Sequence, residues 1–330
     1  MDTEDYSNGD WKKRRLGRTD LFVTELAWGI GPLASMPEDF GYEVSESQAI
    51  ETLLKAFEGP INFFDTSRIY GESEVLIRKA IKTKGRLPEG CVIATKADRD
   101  LETNMFSASQ VRKSVEESCE RLGLRVLPLV YLHDPEYDPR YRLDKQVAFD
   151  HIMAQNGPVA ELEKLKREGV IFHLGISGGP IDMLLNFIRT GRFEVVITHN
   201  RWNLLWQVAD PLIEEANKMG IAVVNAAPYA TGILATGPRE NARAVYQIPS
   251  KEILERVQNI AVVCQEYDIP LAAAALQFSL RDRRINSTVV GVSSPEQVSE
   301  NLDLARLPIP NELWGKLEPF AMRKGDPEAT

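Results

Sequence analysis

One pattern runs through this chain: a short apolar run is followed by a longer segment with helical periodicity, eight times between about residues 26 and 306. The runs are LAWGI (26–30), INFFD (61–65), CVIATK (91–96), LPLVYLHD (127–134), IFHLGIS (171–177), EVVITHN (194–200), IAVVNAAP (221–228) and STVVGVS (287–293). They are continuous rather than alternating, which is typical of strands covered on both faces. Eight strand–helix units predict an α/β protein built as a closed (β/α)8 TIM barrel.

Helix boundary signals support these units. Ser107-Ala-Ser-Gln110 is a capping-box pattern, and Gly123 follows as a C-terminal stop. Ser294-Pro-Glu-Gln297 combines an N-cap serine with a proline at the first helical position. A further helix is expected to begin near Pro158 and to stop at Gly169.

The domain organisation predicted from this pattern is simple. Residues 1–12 form a polar N-terminal tail, and residues 13–330 form a single barrel domain that includes an N-terminal hairpin (13–24) and a C-terminal helix. Two long connections, 134–157 and 228–250, are expected at the C-terminal face, where such loops are usually lids or binding loops.

Composition narrows the function classes. The 39 basic and 48 acidic residues leave a net charge of −9, so no general basic field exists to hold nucleic acid or a membrane surface. No apolar run approaches the roughly 18 residues of a membrane helix. The acidic N-terminus is unlike a secretory signal, and the three cysteines are odd in number. We therefore expect a cytoplasmic protein with a small-molecule substrate, either a monomer or a weak homo-oligomer.

Titratable side chains stand at the ends of the predicted strands, where barrel active sites lie. The second run ends in Asp65, the third in Lys96, and His133 lies at the end of the fourth, while Tyr70 follows Asp65 in a loop. A tyrosine titrates at about pH 10, and we expect the Lys96 ammonium to lower the pKa of Tyr70. His133 would hydrogen-bond the reacting oxygen. None of these groups carries a hydride, so the chemistry requires a cofactor.

Each of these residues also has an ordinary structural explanation. Asp65 and Lys96 could form an ion pair that only closes the barrel mouth. His133 could be a core histidine with satisfied hydrogen bonds, and Tyr70 a surface-loop tyrosine. The convergence of all four at one rim favours a catalytic site.

Several stretches resemble the aldo-keto reductases. They are INFFDTSRIYGESE (61–74), VIATK (92–96), LVYLHD (129–134), GIS (175–177) and SSPEQVSEN (293–301), within a similarity that extends from RRLGRTDLFVTELAWG to SSPEQVSENL. The His133–Asp134 pair and FSASQVRKSVEESCERLGL (106–124) are similar to the sugar 1-dehydrogenase branch, which includes the L-galactose, L-fucose and D-threo-aldose dehydrogenases.

The resemblance implies a catalytic tetrad of Asp65, Tyr70, Lys96 and His133, with Tyr70 as the acid/base and with Tyr70 and His133 touching the substrate. It also implies a nicotinamide cofactor bound across the barrel mouth without a Rossmann domain. The cofactor-binding positions that it implies are Gly29, Ile30, Gly31, Asp65, Ser177, Gly178, His199, Ala227, Pro228, Tyr229, Gly232, Leu234, Ser293, Gln297, Glu300 and Asn301.

Within that set, the resemblance gives separate parts of the cofactor to separate segments. Ser177 and His199 would face the carboxamide, residues 228–234 would pass the pyrophosphate, and Glu300 and Asn301 would hold the adenine. Many relatives have Ser-Asn and Gln where this chain has Ser177-Gly178 and His199. Many also stack an aromatic side chain on the nicotinamide at the place of Ala226.

A further departure concerns cofactor choice. Relatives that prefer NADP usually place Lys or Arg around 291–293 and Arg at 297, whereas this chain has Gly291, Val292, Ser293 and Gln297. A 2′-phosphate needs cationic partners. We therefore expect NAD, with NADP as the alternative, and oxidation as the working direction.

Two further residues are candidate substrate contacts. Asp134 could accept hydrogen bonds from sugar hydroxyls, or it could only cap the loop before Pro135. Trp202 could pack against the C–H face of a sugar, or it could be ordinary rim packing.

Two other site classes are disfavoured. Gly29-Ile-Gly31-Pro-Leu-Ala34 is similar to a dinucleotide fingerprint, but Pro32 interrupts it and no helix is expected before about Ser45. The four histidines form no HxH or HExxH motif, so we expect no metal site.

The sequence therefore predicts an NAD-linked oxidoreductase that oxidises an aldose at C1 to the aldonolactone. The alternative is an NAD(P)H-dependent reductase of small aldehydes or ketones, or of a pyridoxal-type substrate. A nicotinamide-sensing regulatory subunit and a barrel metallohydrolase are more remote alternatives.

Overall fold

A computed structural model describes residues 11–239 and 242–328. The strands in these ranges are β1 Lys13–Arg15, β2 Phe22–Thr24, β3 Leu26–Gly29, β4 Phe63–Asp65, β5 Val92–Ala97, β6 Leu127–Leu132, β7 Ile171–Gly178, β8 Val195–His199, β9 Ala222–Ala226 and β10 Ser287–Gly291. Strands β3 to β10 pair in parallel and close into a barrel in the order β10-β3-β4-β5-β6-β7-β8-β9, while β1 and β2 form an antiparallel hairpin. The predicted (β/α)8 barrel and hairpin are confirmed.

Helices surround the barrel. They are α1 Pro37–Phe40, α2 Glu46–Glu58, α3 Ser73–Lys84, α4 Ala108–Leu122, α5 Pro139–Leu143, α6 Lys145–Met153, α7 Pro158–Arg167, α8 Ile181–Arg189, α9 Asp210–Lys218, α10 Ile233–Thr236, α11 Lys251–Glu266, α12 Leu271–Leu280, α13 Pro295–Arg306 and α14 Asn311–Leu317. The predicted caps hold, since the Ser107 and Ser294 side chains accept from the backbone N–H groups of Gln110 and Gln297.

Strand alternation divides the apolar residues into two layers. Phe63, Ala94 and Leu129 belong to a cluster inside the barrel. Phe64 and Val130, their neighbours along the strands, belong to the larger cluster between barrel and helices. Successive side chains of a strand point to opposite faces, so residues of one parity line the interior from the bottom of the barrel to its mouth.

The hairpin closes the bottom of the barrel. Leu16 and Val23 are fully buried and join the interior cluster. Gly17 lies in the turn with φ +59°, and an ideal Cβ on it would approach the backbone nitrogen of Ala222, the first residue of β9, to 2.5 Å. The turn therefore needs glycine both for its left-handed backbone and for its close approach to the barrel.

The two long connections at the mouth are partly helical. The 134–157 connection contains a 3-10 turn (Pro135–Tyr137) followed by α5 and α6, and the 228–250 connection contains a turn (Ala230–Gly232) and α10. The first loop also departs from expectation, since a turn (Gly31–Ala34) and α1 precede Ser45.

The chain ends add little to the domain prediction. Of the predicted tail, residues 1–10 lie outside the described residues, and Trp11 packs against Arg306, whose guanidinium lies 4.7 Å from the ring centroid. The boundaries at 12 and 13 and the single domain stay predictions. In the described ranges, no helix is long and apolar enough to cross a membrane.

Replacing Gly17 with alanine tests the closure of the barrel. A left-handed backbone costs a non-glycine residue about 1–2 kcal/mol, and crowding against Ala222 should add about 1–3 kcal/mol to that loss of unfolding free energy. Gly191→Ala is the matched control, because Gly191 also has positive φ (+72°) but no atom lies within 4 Å of its ideal Cβ. Equal losses for the two variants in urea unfolding would contradict the close packing of the hairpin.

Candidate active site

The mouth of the barrel is lined by one inward-facing residue from each strand. Side chains alternate along each strand, and the paired, tilted strands place eight residues at the height of the mouth. These are Gly29, Asp65, Lys96, His133, Ser177, His199, Ala226 and Gly291. Strands β4 to β8 supply the polar side chains, and β9, β10 and β3 supply glycine or alanine. The mouth thus has polar side chains on one side and residues with little or no side chain on the other.

Asp65 and Lys96 form a buried ion pair on adjacent strands. The Lys96 ammonium donates to Asp65 Oδ1 and to the Thr66 carbonyl oxygen, both at 2.7 Å, and it lies 4.7 Å from the centroid of the Tyr70 ring. Lys96 is 2% exposed. Burying an ammonium requires such partners.

Tyr70 and His133 complete the predicted group of four. The Tyr70 hydroxyl lies 3.3 Å from His133 Nε2. Gly31 lies against the phenol, since an ideal Cβ there would be in van der Waals contact with the Tyr70 ring at 3.4 Å. The structure therefore brings together all four residues that the sequence predicted.

The expected effect of Lys96 on Tyr70 is wrong for this arrangement. Burial raises the pKa of Tyr70 well above its ordinary value, and the nearby carboxylates of Asp65 and Asp134 raise it further. Asp65 neutralises the lysine at 2.7 Å, so little positive charge is left to stabilise a phenolate. Tyr70 is held as a neutral phenol.

Asp98 is a site residue that the sequence reasoning missed. It lies two residues beyond Lys96, is fully buried, and its Oδ1 accepts a hydrogen bond from His133 Nδ1. The Ser67 hydroxyl donates to both of its oxygens, at 3.1 and 3.0 Å. The sequence did contain one signal for Asp98. Side chains alternate along a strand, so residue 98 faces the same side as residue 96.

Asp134 points into the mouth. Its Oδ1 accepts a 2.6 Å hydrogen bond from the Ser177 hydroxyl, and its Oδ2 lies 3.5 Å from His133 Nε2. It makes no side-chain cap to the following turn, so the capping alternative is wrong. Burial acts to raise the pKa of Asp134, but His133 and His199 outweigh it and lower that pKa.

Glu136 adds a second carboxyl group beside Asp134. Its Oε1 accepts from the backbone N–H of Gly179 at 2.6 Å, while its Oε2 is buried and has no hydrogen-bond partner. Burial and the charge of Asp134 raise the pKa of Glu136 to about 8. The Glu136 oxygen and Met183 also fill the space that a side chain at Gly178 would need, with contacts of 3.3 and 2.6 Å to an ideal Cβ.

The C-terminal segment reaches His199, which no sequence signal indicated. Glu328 Oε1 lies 3.2 Å from His199 Nε2 and accepts from the Asn200 side chain at 3.1 Å. Arg201, 1% exposed, pairs with Asp326. Burial acts to lower the pKa of His199, but the Glu328 carboxylate outweighs it and raises that pKa.

Most of the predicted cofactor positions surround the open side of the mouth. Gly29 and Gly291 are paired neighbours there. Ala227 has φ +58° after β9, Pro228 follows it, and Gly232 has φ +100° with open space at its Cβ.

The predicted adenosine-side residues also meet. The Tyr229 hydroxyl donates to Asn301 Oδ1 at 2.6 Å. Gln297 Oε1 accepts from the backbone N–H and the hydroxyl of Ser293, at 2.8 and 3.1 Å. Glu300 is exposed on α13, one residue before Asn301.

Three predicted contacts have side chains that pack into the protein, so they stay predictions that only their backbone or an exposed edge could fulfil. Ile30 is fully buried between barrel and helices, since it has the parity opposite to Gly29 and Gly31. Leu234 is fully buried in a cluster with α11 and α12. Trp202 packs against Phe278 of α12, 5.5 Å between ring centroids, which is the ordinary packing alternative.

Comparisons with known proteins agree with this geometry. The profile of the Aldo/keto reductase family matches residues 31–321. The chain belongs to the aldo/keto reductase family. It is therefore an enzyme of the NAD(P)-dependent oxidoreductase class. No cluster of three or more His, Cys, Asp or Glu side chains within residues 11–239 and 242–328 is arranged to hold a metal ion.

Individual relatives span nearly the same length. The chain is 33% identical to L-galactose dehydrogenase of Arabidopsis thaliana, covering 88% of this chain and 86% of that protein. It is 32% identical to D-threo-aldose 1-dehydrogenase of Pseudomonas sp, covering 83% and 88%. In fold it is similar to the holo form of aldo-keto reductase AKR11C1 from Bacillus halodurans, with a TM-score of 0.74, 22% identity, and coverage of 95% and 97%.

The raised pKa of Glu136 predicts a pH-dependent change in stability. Its pKa rises from an ordinary 4.5 to about 8 on folding, so the native state holds a proton that the unfolded state has lost, and stability falls as the pH rises through this range. Glu136→Gln cannot ionise. Its unfolding free energy relative to wild type should therefore increase between about pH 5 and pH 8.

Urea unfolding at several pH values measures this difference. The control is Glu89→Gln, which alters an exposed glutamate far from any buried charge and should shift stability equally at each pH. If the unfolding free energy of Glu136→Gln relative to wild type stays constant from pH 5 to 8, the raised pKa of Glu136 is contradicted.

Proposed function

We propose that this enzyme oxidises an aldose at C1 to the aldonolactone with NAD. The observation that carries the proposal is the meeting of Tyr70, Lys96, Asp65 and His133 with a further carboxyl group, Asp134, at one barrel mouth. The likeness to a D-threo-aldose 1-dehydrogenase and an L-galactose dehydrogenase supports it.

The residues present fit a nicotinamide cofactor. Asp65 Oδ2 is buried without a hydrogen-bond partner, so it can accept from a ribose hydroxyl. Gly29, Ala226 and Gly291 leave the opposite wall without large side chains. When bound there, the nicotinamide supplies the acceptor for the hydride that leaves C1.

The adenosine side favours NAD over NADP. Between Ile285 and Ala305 the chain has no lysine or arginine, while Glu296 and Glu300 are acidic. Ser293 and Gln297 use their polar groups on each other. A 2′-phosphate on this segment would lack the cationic partners that it needs.

The carboxyl groups at the mouth suit a polyhydroxylated substrate. The Asp134 carboxylate oxygens are acceptors beyond the Tyr70–His133 pair, whereas Glu136 Oε2 is buried beside Gly178 and Met183. Buried acceptors discriminate strongly against a substrate that lacks the matching hydroxyl. A sugar supplies several hydroxyls next to the reacting carbon, whereas a small aldehyde would leave these oxygens unpaired.

Tyr70 is the group proposed to exchange the proton with the substrate oxygen. His133 would orient the same oxygen, and Lys96, fixed by Asp65, would hold the phenol ring in place. In the oxidation direction, the hydrogen on C1 leaves as a hydride, with the electron pair of its C–H bond. The O–H bond of the C1 hydroxyl breaks in the same step, and its electron pair forms the new carbonyl bond.

A second candidate function uses the same residues in reverse. A reductase of small aldehydes or ketones would donate the proton from Tyr70, and a pyridoxal-type alcohol is a further substrate class. The latter is favoured by 29% identity to pyridoxal 4-dehydrogenase of Microbacterium luteolum, covering 93% of this chain and 96% of that protein.

A spectrophotometric screen distinguishes these candidates. Free aldoses, small aldehydes and ketones, and pyridoxal are each tested with NAD and NADP in both directions at 340 nm. We expect reduction of NAD by one or a few aldoses. Tyr70→Phe should lower kcat by about 100-fold or more and leave cofactor affinity nearly unchanged. Turnover of pyridoxal or of simple carbonyls, with no aldose oxidised, would replace the sugar proposal by the second candidate.

Cofactor preference has its own test. Ser293→Arg should tighten NADP binding about tenfold, as expected of one charge-assisted hydrogen bond. The control Ser299→Arg adds the same charge on α13, two residues beyond Gln297. Fluorescence titration measures both affinities. An unchanged NADP affinity, or the same gain in both variants, would place the 2′-phosphate away from Ser293.

A further inference from the structure

A buried Ser67–Asp98–His133 chain lies behind the Tyr70 hydroxyl. Asp98 is fully buried and accepts from His133 Nδ1, and the opposite ring nitrogen, Nε2, lies 3.3 Å from the Tyr70 hydroxyl. Asp98 therefore contacts the imidazole on the side away from the open mouth. No part of the proposed sugar oxidation has so far used it.

The partners of Asp98 favour a role in orienting the imidazole. Arg68 Nε, the nearest permanent cation, is 3.8 Å from Asp98 Oδ2, beyond hydrogen-bond distance, and Arg68 is closer to Glu117, at 3.1 Å. Ser67 donates to both carboxylate oxygens. With the guanidinium beyond hydrogen-bond distance, the Ser67 hydroxyl and the His133 imidazole are the side chains that donate hydrogen bonds to this buried carboxylate.

We propose that Asp98 is a positioning residue that keeps the Nδ1–H form of His133, so that Nε2 is a base aimed at Tyr70. The proton released in alcohol oxidation then passes through Tyr70 to His133. This inference rests on the proposed direction of reaction, but the tautomer and charge of His133 are properties of the protein alone.

The transfer balances without a free phenolate. The substrate O–H bond breaks and its proton bonds to the Tyr70 oxygen. The original Tyr70 O–H bond breaks at the same time, and that proton bonds to His133 Nε2. Tyr70 remains neutral, the imidazole becomes imidazolium, and the Asp98 carboxylate stabilises the new charge. Carbonyl reduction runs the same relay in reverse.

The surroundings of Tyr70 explain why a relay is useful. Asp65, Asp134 and Asp98 all face the phenol, and Lys96 is already paired with Asp65. These groups oppose a phenolate, so a proton that leaves Tyr70 needs another acceptor. Besides Asp98, the titratable and charged groups near the His133 ring are Asp134 and Tyr70, with Lys96, Arg68, Glu74 and His199 farther out.

Asp98→Asn tests the role, because asparagine can still accept from Nδ1–H but carries no charge. We expect kcat for oxidation to fall about 100-fold or more, with the KM for NAD and the melting temperature nearly unchanged. The loss should be confined to kcat, because Asp98 contacts the imidazole of His133 and not the predicted cofactor positions.

The matched control is Glu74→Gln. Glu74 is also fully buried and accepts from Thr95 Oγ1 at 2.6 Å, but it does not contact His133. It should leave kcat close to that of wild type. An Asp98→Asn kcat that coincides with wild type, or an equal loss in the control, would overturn the proposal.

Proton NMR of the protein without cofactor gives an independent readout. The Nδ1–H proton shared with Asp98 should appear at low field in wild type, disappear in His133→Gln, and move upfield in Asp98→Asn. If Asp98→Asn does not fold, Ser67→Ala removes a donor from Asp98 and should move the same resonance. An unmoved resonance in the folded variant overturns the inference even if no aldose is oxidised, whereas the expected shift supports it even if the substrate proves to be another alcohol.

Discussion

Closure of eight parallel strands is the constraint on which the remaining structure depends. In a closed barrel each strand contributes every second side chain to the interior, and the level at the mouth receives one residue per strand. Asp65, Lys96 and His133 come from separate runs of sequence. Asp65 pairs with Ala94 and Lys96 pairs with Tyr131, so Lys96 and His133 each lie two residues beyond the paired position, and the tilt of the strands brings all three to one height. The hairpin matters for the same reason, because it seals the other end, so the interior opens at one face.

The charge balance at that face governs its chemistry. Carboxyl groups outnumber the cations near Tyr70, and the one ammonium close to its ring is already paired. The phenol is therefore kept neutral. Burial and Asp134 raise the pKa of Glu136 to about 8, and the Glu328 carboxylate raises the pKa of His199. Such surroundings suit a substrate rich in hydroxyl donors, and they favour proton movement through imidazoles rather than through an isolated phenolate.

Sequence reasoning reached the strands and the four central residues because both leave local signals. Continuous apolar runs identify strands, and a polar residue that ends such a run identifies the mouth. The same reasoning did not show in which direction a side chain points. Ile30 lies between two mouth residues but has the opposite parity, and Trp202 follows a strand without continuing its alternation. The raised pKa of Tyr70 depends on how many carboxylates gather around it, which no spacing encodes.

The sequence by itself determined the barrel, its parallel order and the residue types available at each strand end, because periodicity and caps are local properties of the chain. Only the tertiary structure decided the partners: Asp98 behind His133, Ser177 on Asp134, and Glu328 on His199. Glu328 is separated from His199 by more than a hundred residues, and such a contact forms only when the C-terminal segment packs across the finished barrel. The energy of a buried charge depends on the atoms around it, and those atoms are assembled by folding.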